Sequence, residues 1–104
     1  MKSLQQYVAR AKVAKALAHA SRLFILDLLQ QGELSAGELT DKVGADQSTV
    51  SKHLAILREV GLVNYRKDGT TSYYRLCCPC IDGFFSCLET VVRADVCTRR
   101  MGLK

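Results

Sequence analysis

The chain has 104 residues, of which 48% are apolar, and it carries a formal net charge of +5. This length suits one domain, and this apolar fraction excludes an intrinsically disordered chain. No apolar run reaches the roughly 18 residues that a membrane span requires, and the N-terminus lacks the apolar core of a secretory signal. The sequence therefore predicts a single cytoplasmic domain over residues 1–104.

The positive charge is concentrated in separate segments of the chain. Residues 1–22 contain five lysines or arginines and no acidic residue, whereas residues 23–60 contain six acidic residues and three basic ones. Residues 61–76 are basic again. Basic segments at defined places favour nucleic acid as a partner over a uniformly charged surface.

Two helices are predicted first, because apolar residues recur at helical spacing over residues 4–17 and 22–30. The second helix is apolar nearly all round, which is typical of a central, buried helix. Ser21 is placed to cap it, and His19, in the joint between the two helices, is predicted to have a structural role.

Residues 35–57 predict a helix, a tight turn and a second helix. Ser35 and Glu38 have the spacing of a capping box, Gly44 ends the first helix, and Asp46 caps the second. The buried stripe of the second helix is predicted to comprise Val50, Leu54 and Leu57, and its outward face comprises Gln47, Ser48, Ser51, Lys52 and Arg58. Short polar groups suit base edges and cations suit phosphates, so this face predicts DNA binding. An ordinary solvated helix pair is the alternative.

A β-hairpin follows. Residues 62–67 and 71–76 are rich in strand-forming residues and flank Asp68-Gly69-Thr70, a strong hairpin signal. Arg66 and Lys67 lie near its tip and are predicted to contact a DNA backbone or minor groove. A merely solvated hairpin is the alternative.

The last predicted element is a helix over residues 81–96, entered through Pro79. Its wide apolar stripe predicts one half of an intermolecular interface, since so small a domain cannot cover it. Residues 97–104 are predicted to form a basic, frayed tail.

With Ser48-Thr49-Val50-Ser51-Lys52-His53-Leu54 followed by Gly61-Leu62-Val63, the chain resembles the ArsR/SmtB family of bacterial metal- and stress-sensing repressors over residues 8–96. The resemblance implies an α+β, mainly α-helical, winged helix-turn-helix fold that dimerises through its first and last helices. It also implies a repressor that binds palindromic operator DNA and leaves it when an inducer binds.

The resemblance assigns DNA contacts to the second helix of the helix-turn-helix and to the hairpin. The predicted DNA-binding set is Gln47, Ser48, Thr49, Ser51, Lys52, His53, Arg58, Arg66 and Lys67. His53 lies three residues after Val50, a spacing that turns it partly towards the core.

Two departures from the family concern the inducer. The Cys-x-Cys pair of the best-known arsenic sensors is absent from residues 35–37. The last predicted helix contains Asp82, Glu89 and Asp95 but no histidine, so the zinc site of other members is incomplete. The inducer must therefore be inferred from the cysteines of this chain.

All five cysteines lie between residues 77 and 97, an odd count that argues against a disulfide scaffold. Thiolates select soft ions, so arsenite is the preferred inducer, with Sb(III), Cd(II) and other soft metals as alternatives. The dipole at the start of the last helix is predicted to lower the pKa of Cys80.

Two metal sites are consistent with the spacing. In one, Cys77, Cys78 and Cys80 bind the ion within one chain. In the other, Cys78 and Cys80 are joined by Cys97 of a partner, because antiparallel pairing of the last helices about residue 88 sets residue 80 opposite residue 97. Cys87 is predicted to be a small buried apolar residue.

The cysteines also support other hypotheses about function. Cys77 to Cys80 has the spacing of a thiol–disulfide site, so an oxidant- or persulfide-sensing repressor is the main alternative. A structural zinc module is another. An enzyme is not expected, because only His19 and His53 are available as neutral-pH bases and no catalytic constellation or phosphate loop is present. No organic cofactor, small organic substrate or membrane contact is expected.

Overall fold

A computed structural model describes the backbone of residues 3–101 and the side chains of residues 3–94. The elements, in chain order, are α1 (Leu4–Leu17), α2 (Ala20–Leu29), β1 (Leu34–Ser35), α3 (Ala36–Val43), α4 (Gln47–Glu59), β2 (Val63–Asp68), β3 (Thr71–Leu76) and α5 (Ile81–Met101). The strands form one antiparallel sheet in the order β1-β3-β2. Within the described residues, no helix combines the length and apolar character needed to cross a bilayer.

This architecture confirms the predicted mainly helical winged helix-turn-helix, with one strand more than expected. β1 pairs with β3 through Leu34 opposite Tyr74 and Ser35 opposite Tyr73. A strand of two residues is too short to produce an alternating pattern, so the sequence signal missed it. Its pairing ties the start of the helix-turn-helix to the hairpin.

The predicted helix ends are mostly confirmed. Ser35 and Glu38 form a reciprocal capping box, with N···O distances of 3.1 and 2.9 Å. Gly44 ends α3 with φ +77°, and Asp46 caps α4 by accepting from the Thr49 N–H. The cap of α2 is different: His19, not Ser21, is the N-cap, and its Nδ1 accepts the Ser21 N–H at 3.2 Å.

The last helix was predicted too short. α5 continues to Met101, so the frayed tail expected from residue 97 is wrong for residues 97–101, while residues 102–104 lie outside the described part of the chain. The physical reason is visible in the sequence: no Gly or Pro interrupts the helix between residue 97 and Gly102.

The core forms where α2 packs against the helix-turn-helix and the base of the hairpin. Its members are Ile25, Leu26, Leu29, Leu39, Val50, Leu54, Leu57, Leu62, Val63 and Ile81. The predicted buried stripe of α4 is thereby confirmed. α2 is a central helix as predicted, with Ile25, Leu26 and Leu29 buried, but its outer side is uncovered, since Phe24 is 44% exposed.

The hairpin forms close to its predicted place. Asp68 pairs with Thr71, which leaves Gly69 and Thr70 as a two-residue loop in place of the expected three residues. Gly69 has φ +66°, a conformation that two-residue hairpin loops require and glycine adopts at little cost. The resulting register sets Tyr65 opposite Tyr74.

The two terminal helices leave apolar side chains uncovered in the single chain. Ile81 anchors α5 in the core, but Val91 further along is 65% exposed, and Leu4 and Val8 of α1 are 80% and 55% exposed. The radius of gyration is 16.2 Å, whereas a compact domain of this length has about 13 Å. A single chain therefore has an extended shape with two unpartnered apolar faces.

Replacing Ser35 with alanine should lower the free energy of unfolding by about 1 kcal/mol, because the N–H of Glu38 loses its cap. Ser3 supplies the matched control: it is the N-cap residue of α1 but makes no side-chain cap bond, so S3A should be nearly neutral. Urea unfolding followed by circular dichroism measures both variants. Equal effects of the two substitutions would contradict the role given to the capping box.

Candidate functional site

The outward face of α4 consists of short polar and cationic side chains. Burial of Val50, Leu54 and Leu57 turns the opposite side of the helix to solvent. The exposed residues there include Gln47, Ser48, Thr49, Ser51, Lys52 and Arg58, all of them predicted DNA-contacting residues. Such a face offers hydrogen-bonding groups for base edges and charges for phosphates.

The N-terminus of α4 is held by Asp46. Its carboxylate accepts the Thr49 N–H and the Ser48 hydroxyl, both at 3.2 Å. Hydrogen bonds from Thr49, and then from Ser48, hold the pKa of Asp46 below its ordinary value. The cap is therefore ionised at neutral pH and fixes the end of the helix that presents Gln47 and Ser48.

His53 does not belong to the exposed face, and its assignment to the DNA-contacting set is corrected. The side chain is buried, and its Nδ1 accepts a hydrogen bond from Nε of Arg22 at 3.2 Å. Its ring lies 4.5 Å from that of His19. A residue three positions after Val50 and next to Leu54 falls on the inner side of α4, which is the physical reason for the error.

Arg58, at the C-terminal end of α4, is attached to the hairpin. Its guanidinium lies over the ring of Tyr65 at 4.7 Å from the centroid, and Tyr65 stacks on Tyr74 at 5.5 Å. Sequence reasoning missed these two tyrosines, because their pairing depends on the register of the hairpin. They connect the recognition helix to the wing through a cation–π contact and a cross-strand pair.

Arg66 is also placed differently from the expectation. Its guanidinium makes a bidentate ion pair with Glu33, at 2.8 and 3.1 Å, and lies over the ring of Tyr73 at 4.7 Å. The bond to Glu33 raises the pKa of Arg66 above its ordinary value. Arg66 is thus engaged with Glu33, whereas Lys67 is exposed and forms no ion pair within residues 3–94.

Two of the predicted thiol ligands meet at the start of α5. The Sγ atoms of Cys78 and Cys80 lie 2.9 Å apart. Cys77 continues the hairpin, with its N–H donating to the Leu62 carbonyl at 2.9 Å. Cys77 lies in a bend just after β3 and is not part of the close sulfur contact. Residues 3–94 contain no group of three potential ligands, and the single-chain site of three thiolates is not assembled.

The thiol chemistry of the pair differs from the prediction. The pKa of Cys80 is raised, not lowered: its hydrogen bond to Cys78 is the main cause, and the charge of Cys78 is the second. Either sulfur can donate in this bond, and ionising both would bring two negative charges together, which disfavours the Cys80 thiolate. The lowering of this pKa that was expected from the start of α5 is therefore not found.

An open groove of about 760 Å³ lies beside the pair, between the end of α2, the loop before β1 and the start of α5. Cys78 and Pro79 line one side of it, and Asp27 and Arg75 are among the other lining residues. Cys78 is half-buried in this groove and Cys80 is exposed. Solutes can therefore reach both sulfur atoms.

The two remaining cysteines lie further along α5. Cys87 was predicted to be a small buried apolar residue. This prediction is wrong for the single chain, in which Cys87 is exposed. Cys97 falls within α5, but its side chain lies outside the described residues. The structure thus brings together two of the four proposed metal ligands.

Comparison with known proteins identifies the fold and this helix-turn-helix. The family model described as "Bacterial regulatory protein, arsR family" matches residues 19–65. The transcriptional activator HlyU of Vibrio cholerae is 44% identical over 77 residues, which cover 73% of this chain and 71% of HlyU. The biofilm growth-associated repressor of Agrobacterium fabrum is 44% identical over 66 residues, or 64% of this chain and 56% of that protein.

A solved structure extends the match to the dimeric state of a relative. It is the solution NMR structure of the homodimeric winged helix-turn-helix DNA-binding domain of a possible ArsR-family regulator from Mycobacterium bovis. The TM-score is 0.77 at 34% identity, with 89% of this chain and 86% of the other covered. These relatives are DNA-binding transcriptional regulators, not enzymes, as the sequence predicted. The chain belongs to the arsR family of bacterial regulatory proteins and is a winged helix-turn-helix transcriptional regulator.

Proposed function

We propose that this regulator is a cytoplasmic homodimeric repressor that leaves its operator when a thiophilic metal or metalloid binds Cys78 and Cys80. The observation that carries the proposal is the 2.9 Å approach of these two sulfur atoms. They lie where the hairpin ends and α5 begins. A ligand bound there acts on the wing and on a terminal helix at once.

DNA binding in this proposal uses the exposed side of α4 and the hairpin. Base and phosphate contacts are assigned to Gln47, Ser48, Thr49, Ser51, Lys52 and Arg58, with Lys67 reaching the backbone from the wing. Arg66 contributes less than the sequence suggests, because Glu33 already neutralises it.

The homodimer is proposed to form through α1 and α5. Support comes from the exposed apolar residues of both helices, among them Leu4, Val8, Val91 and Val92. Burying such side chains against a second copy removes apolar surface from water, at about 25 cal/mol per Å². The homodimeric state of the Mycobacterium bovis relative agrees with this arrangement.

Arsenite is the proposed inducer, with Sb(III) and Cd(II) as further candidates. Soft thiolates bind all three ions. Arsenite takes three thiolates, whereas one chain brings only Cys78 and Cys80 together. An antiparallel pair of α5 helices centred near residue 88 would set the partner's Cys97 opposite Cys80 and supply the third sulfur.

A redox sensor is the second candidate, and the same sulfur pair favours it. Peroxide would oxidise the thiols of Cys78 and Cys80 to a disulfide, taking two electrons and two protons and leaving two molecules of water. A persulfide sensor would use the same residues. The two candidates differ in what remains bound: an ion in one, a sulfur–sulfur bond in the other.

Replacing Lys52 with alanine should weaken operator binding and reduce the slope of log K against log salt by about 1, because one phosphate contact is lost. Fluorescence anisotropy with duplex DNA selected from a random pool by the purified protein measures both quantities. Lys42 is the matched control: it lies at the end of α3 in a cleft with Gln31 and Glu33, away from the exposed side of α4. An unchanged salt slope in K52A would contradict the assignment.

Replacing Cys78 and Cys80 together with serine should abolish release of that DNA by arsenite and leave DNA affinity without arsenite within about twofold of the wild type, since neither residue lies on α4. A gel shift with arsenite, Cd(II) and peroxide in parallel, with a count of free thiols, distinguishes ion binding from oxidation. Cys87→Ser, on α5 but outside the pair, is the control. If arsenite still released the double variant fully from DNA, Cys78 and Cys80 would not be the inducer site. Loss of this release in Cys97→Ser alone would assign the third thiolate to the partner.

A further inference from the structure

Three helices are joined by a polar contact that the DNA-binding face does not use. Nε of Arg22, in α2, donates to Nδ1 of His53 in α4 at 3.2 Å. The Nη1 of the same guanidinium donates to the Ala16 carbonyl in α1 at 3.4 Å. The His19 ring packs on His53 with its plane tilted by 54°. Arg22 and His53 therefore link the helix α1 to the recognition helix α4.

The direction of this bond determines the state of His53. A guanidinium can only donate, so Nδ1 of His53 must be the unprotonated nitrogen. Burial, and then the charges of His19 and Arg22, lower the pKa of His53 from its ordinary value of 6.5. The bond exists with neutral His53 and is lost when Nδ1 takes a proton.

The remaining charged groups around this contact come from α1 and α4. Lys12 and Lys15 of α1 and Glu59 of α4 line a small cavity together with Arg22. Nζ of Lys12 lies 4.0 Å from Oε1 of Glu59, and both side chains are 70% exposed. Exposed pairs of this kind contribute little to stability. The Arg22 bond is therefore the directional polar link between α1 and α4.

The two helices that Arg22 joins, α1 and α4, have different roles in the proposed function. α1 belongs to the proposed dimer interface, and α4 carries the DNA-contacting face. A dimeric helix-turn-helix protein accepts two half-sites only at the separation of its two recognition helices. We propose that Arg22 and His53 are positioning residues that set the angle of α4 against α1 and thereby the half-site spacing that the homodimer accepts. This inference rests on the proposed homodimer.

The test compares Arg22→Met with wild type on a palindromic duplex selected from random DNA by the wild-type protein. Further probes are the same duplex with one or two base pairs inserted at its centre, and a single half-site. We expect R22M to bind the palindrome about tenfold more weakly or worse, from the loss of a charged hydrogen bond. Half-site affinity should stay within about twofold, and the preference for one spacing should weaken. K42M, which removes an exposed cation of α3 outside the DNA-contacting face, should behave as wild type.

A pH series provides a second, independent measurement. Because the pKa of His53 is lowered in the fold, the contact is intact above pH 6.5 and is lost as the pH falls below it. Wild-type affinity for the palindrome should fall more steeply than half-site affinity as the pH is lowered below 6.5. His53→Asn keeps an acceptor near Nδ1 that does not titrate, so this extra pH dependence should disappear.

The outcomes distinguish failure of the proposed homodimer from failure of the positioning role of Arg22 and His53. A monomeric wild type, measured by light scattering, would overturn the proposed homodimer and this inference with it. A dimeric R22M with unchanged spacing preference would overturn this inference alone. Should R22M fail to fold, the H53N profile decides: an unchanged extra pH dependence overturns the inference, and its loss supports it.

Discussion

The packing of α4 against α2 is the interaction on which the rest of the molecule depends. Leu54 and Leu57 of α4 are buried in one cluster with Leu26 of α2, and each is 1% exposed or less. This contact determines which side of α4 faces solvent, and hence which side chains can reach DNA. A rotation of α4 by one residue would turn Ser51 inward and Leu57 outward, so the DNA-contacting face depends directly on the core.

The wing and the thiol pair are attached to the same core at one point. The Cys77 N–H donates to the Leu62 carbonyl, and Ile81 is buried a few residues later. The thiols of Cys78 and Cys80 lie between these two anchors. Because the segment is held at both ends, the proposed function has ligand binding at the pair act on the hairpin or on α5. Through them it would reach the proposed dimer and the DNA-contacting face.

The arginines show why counting charges misjudges a DNA-binding surface. Arg66 is paired with Glu33, Arg22 donates to His53, and Arg58 lies on Tyr65. Each makes a contact within the protein, whereas Lys52 is exposed and free of such contacts in the described chain. The contacts of Arg66 and Arg22 join residues more than 30 positions apart in the sequence. The positive charge thus serves partly to assemble the domain.

By itself the sequence determined the order of the helices, the capped turn at Gly44, the hairpin and the outward face of α4. These features depend on local spacing, capping and turn chemistry, which the chain encodes within a few residues. Only the tertiary structure decided that β1 pairs with the wing, that His53 accepts a hydrogen bond from Arg22, and that Arg66 forms an ion pair with Glu33. It also decided that Cys78 pairs with Cys80 and excludes Cys77, because contacts between distant segments and the direction of a side chain at a junction have no periodic signal.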